Sequence, residues 1–188
     1  MNDEKRVFVA VPLPPDIKQM LHAWCERQRG EYPFRKWVYE EDFHVTLQFL
    51  GDCGAERLQR VKEELTRKIA QAPFELRLSG IGTFGRREQP RILWAGVQGD
   101  LEALHKLQAE VVKAMHTLDF PAEDRPYRPH VTLSRNYQGT AFPYEELAAA
   151  WQQLQVHSWR VETIHLYRTD LGNKPMYATE HVVQLSAH

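Results

Sequence analysis

Apolar residues recur along the chain with two periods, and each switch between them marks an element. "RVFVAV", Arg6 to Val11, is a compact β-type run ended by the prolines at 12, 14 and 15. Ile17, Met20, Leu21, Trp24 and Cys25 then fall at helical spacing, with Pro15 and Asp16 suited to a first turn and Gly30 and Pro33 as breakers. In "FHVTLQFLG", Phe43 to Gly51, strict alternation puts Phe43, Val45, Leu47 and Phe49 on one face of a strand. His44, Thr46 and Gln48 take the other. A second helix begins near Ala55, with Leu58, Val61, Leu65 and Ile69 as its stripe, and "FELRLSGIGTFG", Phe74 to Gly85, reads as another strand.

The second half repeats this order. "RILWAGV", Arg91 to Val97, is a strand, and Asp100 can cap a helix carrying Leu101, Leu104, Leu107, Val111, Met115 and Leu118. "PHVTLSR", Pro129 to Arg135, repeats His-Val-Thr-Leu. A shorter helix over about 143–154, a strand over about 159–168 and a final strand over about 175–185 complete the pattern. Arg6 precedes His44 by thirty-eight positions and Arg91 precedes His130 by thirty-nine, the spacing of a duplication. The predicted fold is therefore α+β and bilobal. Two β-α-β-α-β units, about 6–85 and 91–168, pair about a pseudo-twofold axis, with antiparallel-rich sheets lining a central groove and helices outside. No long linker separates them, so 1–188 reads as one domain, with the two His-Val-Thr-Leu strands facing each other across the groove.

Composition narrows the function classes. The chain has 188 residues, 43% of them hydrophobic, enough for a core. Its amino terminus offers neither a signal peptide nor a spanning helix, which makes a cytoplasmic protein without a membrane partner the expectation. Cys25 and Cys53 lie in no metal-ligand spacing and read as free thiols. A net charge of −1 argues against indiscriminate binding to long polyanions. Arg35 with Lys36, Arg86 with Arg87 and Arg91, and Arg125 with Arg128 and Arg135 read first as solvated loop charge, with local anion contacts left open.

One His-x-Thr pair on a strand is an ordinary polar face. Two at equivalent repeat positions, pointing into one cleft, bring together two imidazoles and two hydroxyls. Hydrolysis of a cyclic phosphodiester needs this set. Water must lose a proton as it attacks phosphorus, while the departing oxygen gains one on the opposite flank. Histidine, with an ordinary pKa of about 6.5, can do either. Thr46 and Thr132 can donate to the non-bridging oxygens. The scheme requires no metal and no cofactor.

The motifs His44-Val45-Thr46-Leu47 and His130-Val131-Thr132-Leu133 resemble the signature of the two-histidine (2H) phosphoesterase superfamily. With "PRILWAGV" and "YRPHVTLSR", the chain looks most like the RNA 2′,3′-cyclic phosphodiesterases of the LigT-like, or 2′-5′ RNA ligase, family. The resemblance implies a bilobal fold with both motifs in the groove, and opening of a 2′,3′-cyclic phosphate at an RNA terminus to leave a 2′-phosphomonoester, with weak reverse ligation. It implies His44 as proton donor, His130 as proton acceptor, and Thr46 and Thr132 as phosphate ligands, with RNA termini or nucleotides as partners and no obligate protein partner.

Similar proteins carry an arginine near the phosphate where this chain has Arg135. Strict alternation puts Arg135 on the face away from His130, so it reaches the groove only if the strand bends or ends there. Tyr127, among arginines in a proline-bearing loop, is the candidate base-stacking residue, whereas Phe49, in step with Val45 and Leu47, is expected to pack in the core. His165 reads as a hydrogen-bonded sheet histidine or a groove residue. His22, His105, His116, His157, His181 and His188 read as surface or boundary residues. Three rivals remain: a metal-dependent hydrolase, a non-catalytic RNA-end or nucleotide-binding module, and a phosphodiesterase for another cyclic or 2′,5′-linked nucleotide.

Overall fold

A computed structural model describes residues 4–186; His188 lies outside them. The chain runs β1 (Lys5–Pro12), α1 (Pro15–Arg29), β2 (Phe34–Trp37), a 3₁₀ turn (Glu40–Asp42), β3 (His44–Cys53), α2 (Ala55–Lys68), β4 (Phe74–Gly85) and β5 (Pro90–Gly99). It continues through α3 (Leu101–His116), β6 (His130–Tyr137), α4 (Tyr144–Gln152), β7 (Ser158–Val161), β8 (Thr163–Thr169) and β9 (Tyr177–Gln184). Local chemistry explains the helix ends. Pro15 opens α1, where its missing N–H costs nothing, and the Asp100 side chain accepts from the Ala103 amide at 3.0 Å to cap α3.

Nine strands form one curled antiparallel sheet in the order β7-β4-β5-β6-β3-β1-β8-β9, with β2 added to β6. Its convex side alternates Val7, Val9 and Val11, Val45 and Leu47, Leu93, Ala95 and Val97, and Val131 and Leu133. These meet Leu21 and Trp24 of α1, Val61 and Leu65 of α2, Leu104, Leu107 and Val111 of α3, and Leu147 and Trp151 of α4 in one continuous core. The concave side is left free of helices. No helix among the described residues is long and apolar enough to cross a membrane.

The α+β, antiparallel, bilobal architecture expected from the repeat is present, with two changes of detail. First, the two His-Val-Thr-Leu strands do not face each other across the groove. β3 and β6 are neighbours, joined in register only at Val45↔Val131. They diverge beyond that pair, and the divergence opens the groove. Second, the third strand of each repeat crosses into the other half of the sheet: β4 pairs with β5, and β8 pairs with β1. The ranges 6–85 and 91–168 therefore describe sequence repeats, not the two halves of the sheet. β2, four residues long, is too short for a period to show in sequence, and the strand expected over about 159–168 is two, β7 and β8, separated at Glu162.

Candidate active site

The register fixes the centre of the groove. With Val45 opposite Val131 in an antiparallel pair, His44 lies across from Thr132, and Thr46 across from His130, all on the concave face. The histidines occupy one diagonal of this square and the threonines the other. Directly opposed Cβ atoms are about 5 Å apart and diagonal ones about 7 Å, so the two imidazoles and the two hydroxyls share one patch of the concave face. Val45 and Val131 hold equivalent places in the two repeats, so each repeat contributes half of the square.

Just past the square, both strands carry the same irregularity. Leu47 and Gln48 together oppose Val9 of β1, and Leu133 and Ser134 together oppose Leu93 of β5. In each β-bulge two consecutive residues turn to the convex side, and the alternation beyond is inverted. Gln48 and Ser134 are accordingly buried, at 3% and 0% exposure. The next residue emerges on the concave face: Phe49, 59% exposed, in β3, and Arg135 in β6. Phe49 thus does not pack in the core as alternation predicts. Arg135 reaches the groove by the strand bend it needs, and lines a cavity with His44 and Thr132.

Backbone carbonyls orient both imidazoles alike. His44 Nδ1 donates to the Asp42 carbonyl and His130 Nδ1 to the Arg128 carbonyl, each at 2.7 Å. A carbonyl can only accept, so Nδ1 carries the proton and Nε2 is presented to the groove. Thr46 Oγ1 lies 3.0 Å from His44 Nε2 and donates to it when the ring is neutral. Aromatic rings hold each histidine in place. Phe8 (4.9 Å between centroids) and Tyr177 (5.2 Å, edge-on) flank His44; Phe84 (5.0 Å, edge-on) and Trp94 (6.1 Å) flank His130. Gly82 admits Trp94, because a Cβ at Gly82 would sit 2.2 Å from the indole. The Asp42 carboxylate, 6% exposed, accepts from the Met176 and Tyr177 amides at 3.0 Å, tying the 3₁₀ turn to the start of β9.

Electrostatics keeps the square neutral. Burial, only partly opposed by the bond to Asp42, brings His44 down to about 4; His130 when protonated, Arg135 and Lys18 push the same way. His130 is also lowered, first by burial and then by Arg135. At pH 7 both rings are therefore uncharged until an anion enters. Among the described residues, no group of three or more His, Cys, Asp or Glu side chains is placed to hold a metal ion.

The remaining candidates divide. Tyr127 is not a groove residue. It packs against the core with its ring beside His105 of α3, and its hydroxyl donates to the Thr46 carbonyl at 2.8 Å. Tyr127 thus ties the loop preceding β6 to β3, with its ring turned to α3. His165 is on β8 opposite Ala10, which itself opposes Thr46, so it belongs to the concave face. Its Nδ1 is buried without a partner among the described residues, contrary to a hydrogen-bonded sheet role. Sequence reasoning missed Phe49 and Asp42. The first was detectable by comparing Phe49 with Arg135, five residues after each histidine; the second had no local signal, since its partners lie more than 130 positions away.

Known proteins give the same picture. Bacillus subtilis has a relative named RNA 2′,3′-cyclic phosphodiesterase that is 29% identical over 181 residues, covering 95% of this chain and 96% of that one. A Geobacillus stearothermophilus protein of the same name is 39% identical over 173 residues; these cover 92% of this chain but only 54% of the relative, so the chain spans about half its length. The crystal structure of E. coli LigT complexed with 3′-AMP superposes with a TM-score of 0.79 at 23% identity, over 97% of this chain and 99% of that one. A crystal structure from Thermus thermophilus, that of TT0787, gives 0.75 at 27% identity, over 97% and 99%. The 2′-5′ RNA ligase superfamily is matched over residues 13–173, a span that holds both strands of the square and the rings of Phe84 and Trp94 beside His130, and the chain belongs to that superfamily.

Proposed function

We propose that the chain hydrolyses 2′,3′-cyclic phosphate termini of RNA to 2′-phosphomonoesters, without a metal, using His44 as general acid and His130 as general base. The observation that carries this reading is the square itself: two imidazoles on one diagonal, both presenting Nε2, with a hydroxyl on each remaining corner. Relatives along nearly the whole chain bear the name of that activity.

A water held at His130 Nε2 attacks phosphorus. Its proton passes to His130 as the new P–O bond forms, while the P–O3′ bond breaks and O3′ takes the proton from His44 Nε2. The phosphate stays on O2′, and exchange with solvent returns the two rings to their starting states. Both histidines are held below their ordinary pKa when no anion is bound, so the acid needs a source of protonation. The substrate supplies it: a phosphodiester anion between the rings offsets the burial penalty and raises His44. Once Nε2 is protonated, the Thr46 hydroxyl is released to donate to a non-bridging oxygen, as Thr132 does from the other corner, and Arg135 adds a full positive charge. Phe49 offers the base an exposed aromatic face two effective strand positions beyond Thr46. A ribose hydroxyl taking the place of water would attack phosphorus by the same steps, losing its proton to His130 as O3′ leaves, and would be joined through a 2′-phosphodiester.

In this reading the chain works in the cytoplasm, where its two cysteines, buried and free, match a reducing compartment. The test is phosphorus NMR of the product from adenosine 2′,3′-cyclic phosphate or a cyclic-ended oligoribonucleotide, run in EDTA. A 2′-phosphate is expected. A 3′-phosphate overturns the role assignment, and activity abolished by EDTA and restored by a divalent ion overturns the metal-free scheme. Faster turnover of a 2′,5′-linked dinucleotide would move the substrate elsewhere in the superfamily.

A further inference from the structure

We propose that Lys36 forms, beside Arg135, a subsite for a second phosphate, so that the favoured ligand is an RNA strand of two or more nucleotides and not a single cyclic nucleotide. The inference rests on the phosphodiesterase reading and adds the position of the neighbouring phosphate. β2 joins the sheet at β6 with Lys36 directly opposite Arg135, which puts both side chains on the concave face. Both line the cavity that also holds His44 and Thr132. Arg135, two effective strand positions beyond Thr132, serves the reacting phosphate; Lys36 is one strand further out.

Like charges placed directly opposite each other on neighbouring strands repel, and such pairs weaken a sheet. Nothing among the described residues relieves this pair. The Lys36 ammonium has only the Met176 thioether, a weak acceptor, at 3.5 Å. The one carboxylate lining the same cavity, Asp42, is occupied by the Met176 and Tyr177 amides. Neither cation forms an ion pair among the described residues, whereas the other end of the sheet gathers Lys5, Lys62 and Arg168 around Glu180. An arrangement that costs the fold something and gains nothing internally suits an external anion. Opposed Cβ atoms lie about 5 Å apart, and lysine adds a long flexible stem, so the two cations can meet successive phosphates of one strand. With a net charge of −1 the chain lacks a general polyanion surface, and preference for a strand has to come from such a local step.

The test uses calorimetric binding of two product-type ligands, 2′-AMP and the dinucleotide ApA ending in a 2′-phosphate, to the full chain. Wild type is expected to bind the dinucleotide about tenfold more tightly. In Lys36→Ala the ratio should fall to within about twofold, and the dependence of the dinucleotide's log Kd on log salt should lose about one unit of slope, while Lys36→Arg keeps both. A wild-type ratio near one overturns the subsite, as does a ratio that survives Lys36→Ala. Lys36 is exposed, so its replacement leaves the core intact. Because the readout is binding, absent turnover would strike the hydrolytic reading while this ratio still decides for or against Lys36.

Discussion

His44 and His130 are oriented alike in the anion-free groove, and in the proposed mechanism they take different work only when a substrate breaks the symmetry. Each is a neutral ring with Nδ1 fixed on a carbonyl two residues earlier. Replacing either with alanine should lower kcat by about 10³-fold or more, the scale of a lost general acid or base, read by cyclic-phosphate hydrolysis at saturating substrate. Thr46→Ala and Thr132→Ala should cost less, about 10² at most, since each removes one of several donors to the phosphate. Full activity in either histidine variant would refute the pair. Phe49 separates in kind: stacking of a base contributes about 1–3 kcal/mol, so Phe49→Ala should weaken kcat/KM by about tenfold and Phe49→Trp should retain it. An unchanged kcat/KM in the alanine variant would return Phe49 to an idle surface position.

At the scale of elements, the paired bulges and the turn before β3 build the site. The bulges place Gln48 and Ser134 on the convex side, where Gln48 Nε2 donates to the Pro121 carbonyl at 3.3 Å but the Ser134 hydroxyl finds no partner among the described residues. A buried hydroxyl without a bond costs about 1 kcal/mol or more, so Ser134→Ala should leave stability unchanged or raise it by about that much in urea unfolding. Clear destabilisation would mean that Ser134 has a partner. Asp42 behaves in the opposite way. Its buried carboxylate holds two amides of the β9 segment while its carbonyl orients His44, so Asp42→Ala should cost about 2–3 kcal/mol and speed amide exchange at Met176 and Tyr177. Unaltered protection at those two amides would remove Asp42 as the tie between the turn and β9.

For the whole molecule, the neutral groove couples folding to pH. In the unfolded chain His44 titrates near 6.5, and in the folded chain near 4, so between those values the unfolded state binds more protons. Its contribution, about 3 kcal/mol, is fully present above pH 6.5 and is lost as pH falls toward 4. His130, lowered in the same direction, adds to the slope. Urea midpoints should fall across this window, and His44→Gln should flatten the fall; an equally steep loss in that variant would place the sensitivity elsewhere. Phosphate should raise the titration of His44 and His130 in NMR, because an anion stabilises both charged forms.

The sequence determined the longer elements, the repeated order and the two His-x-Thr pairs, because period, turn residues and repeat spacing are local properties of the chain. Alternation, applied strictly, correctly placed His44 and Thr46 opposite Val45 and Leu47, then failed at Phe49. A bulge forms through the register with a neighbouring strand, here Val9 against Leu47 and Gln48, and no period within β3 records it. The tertiary structure alone decided that β3 and β6 meet at a single pair, that β4 and β8 exchange halves, and that Arg135 and Phe49 emerge in the groove while Tyr127 turns to the helices. Each of these depends on which distant strand supplies the hydrogen bonds, and that choice is made by packing the whole sheet against one core.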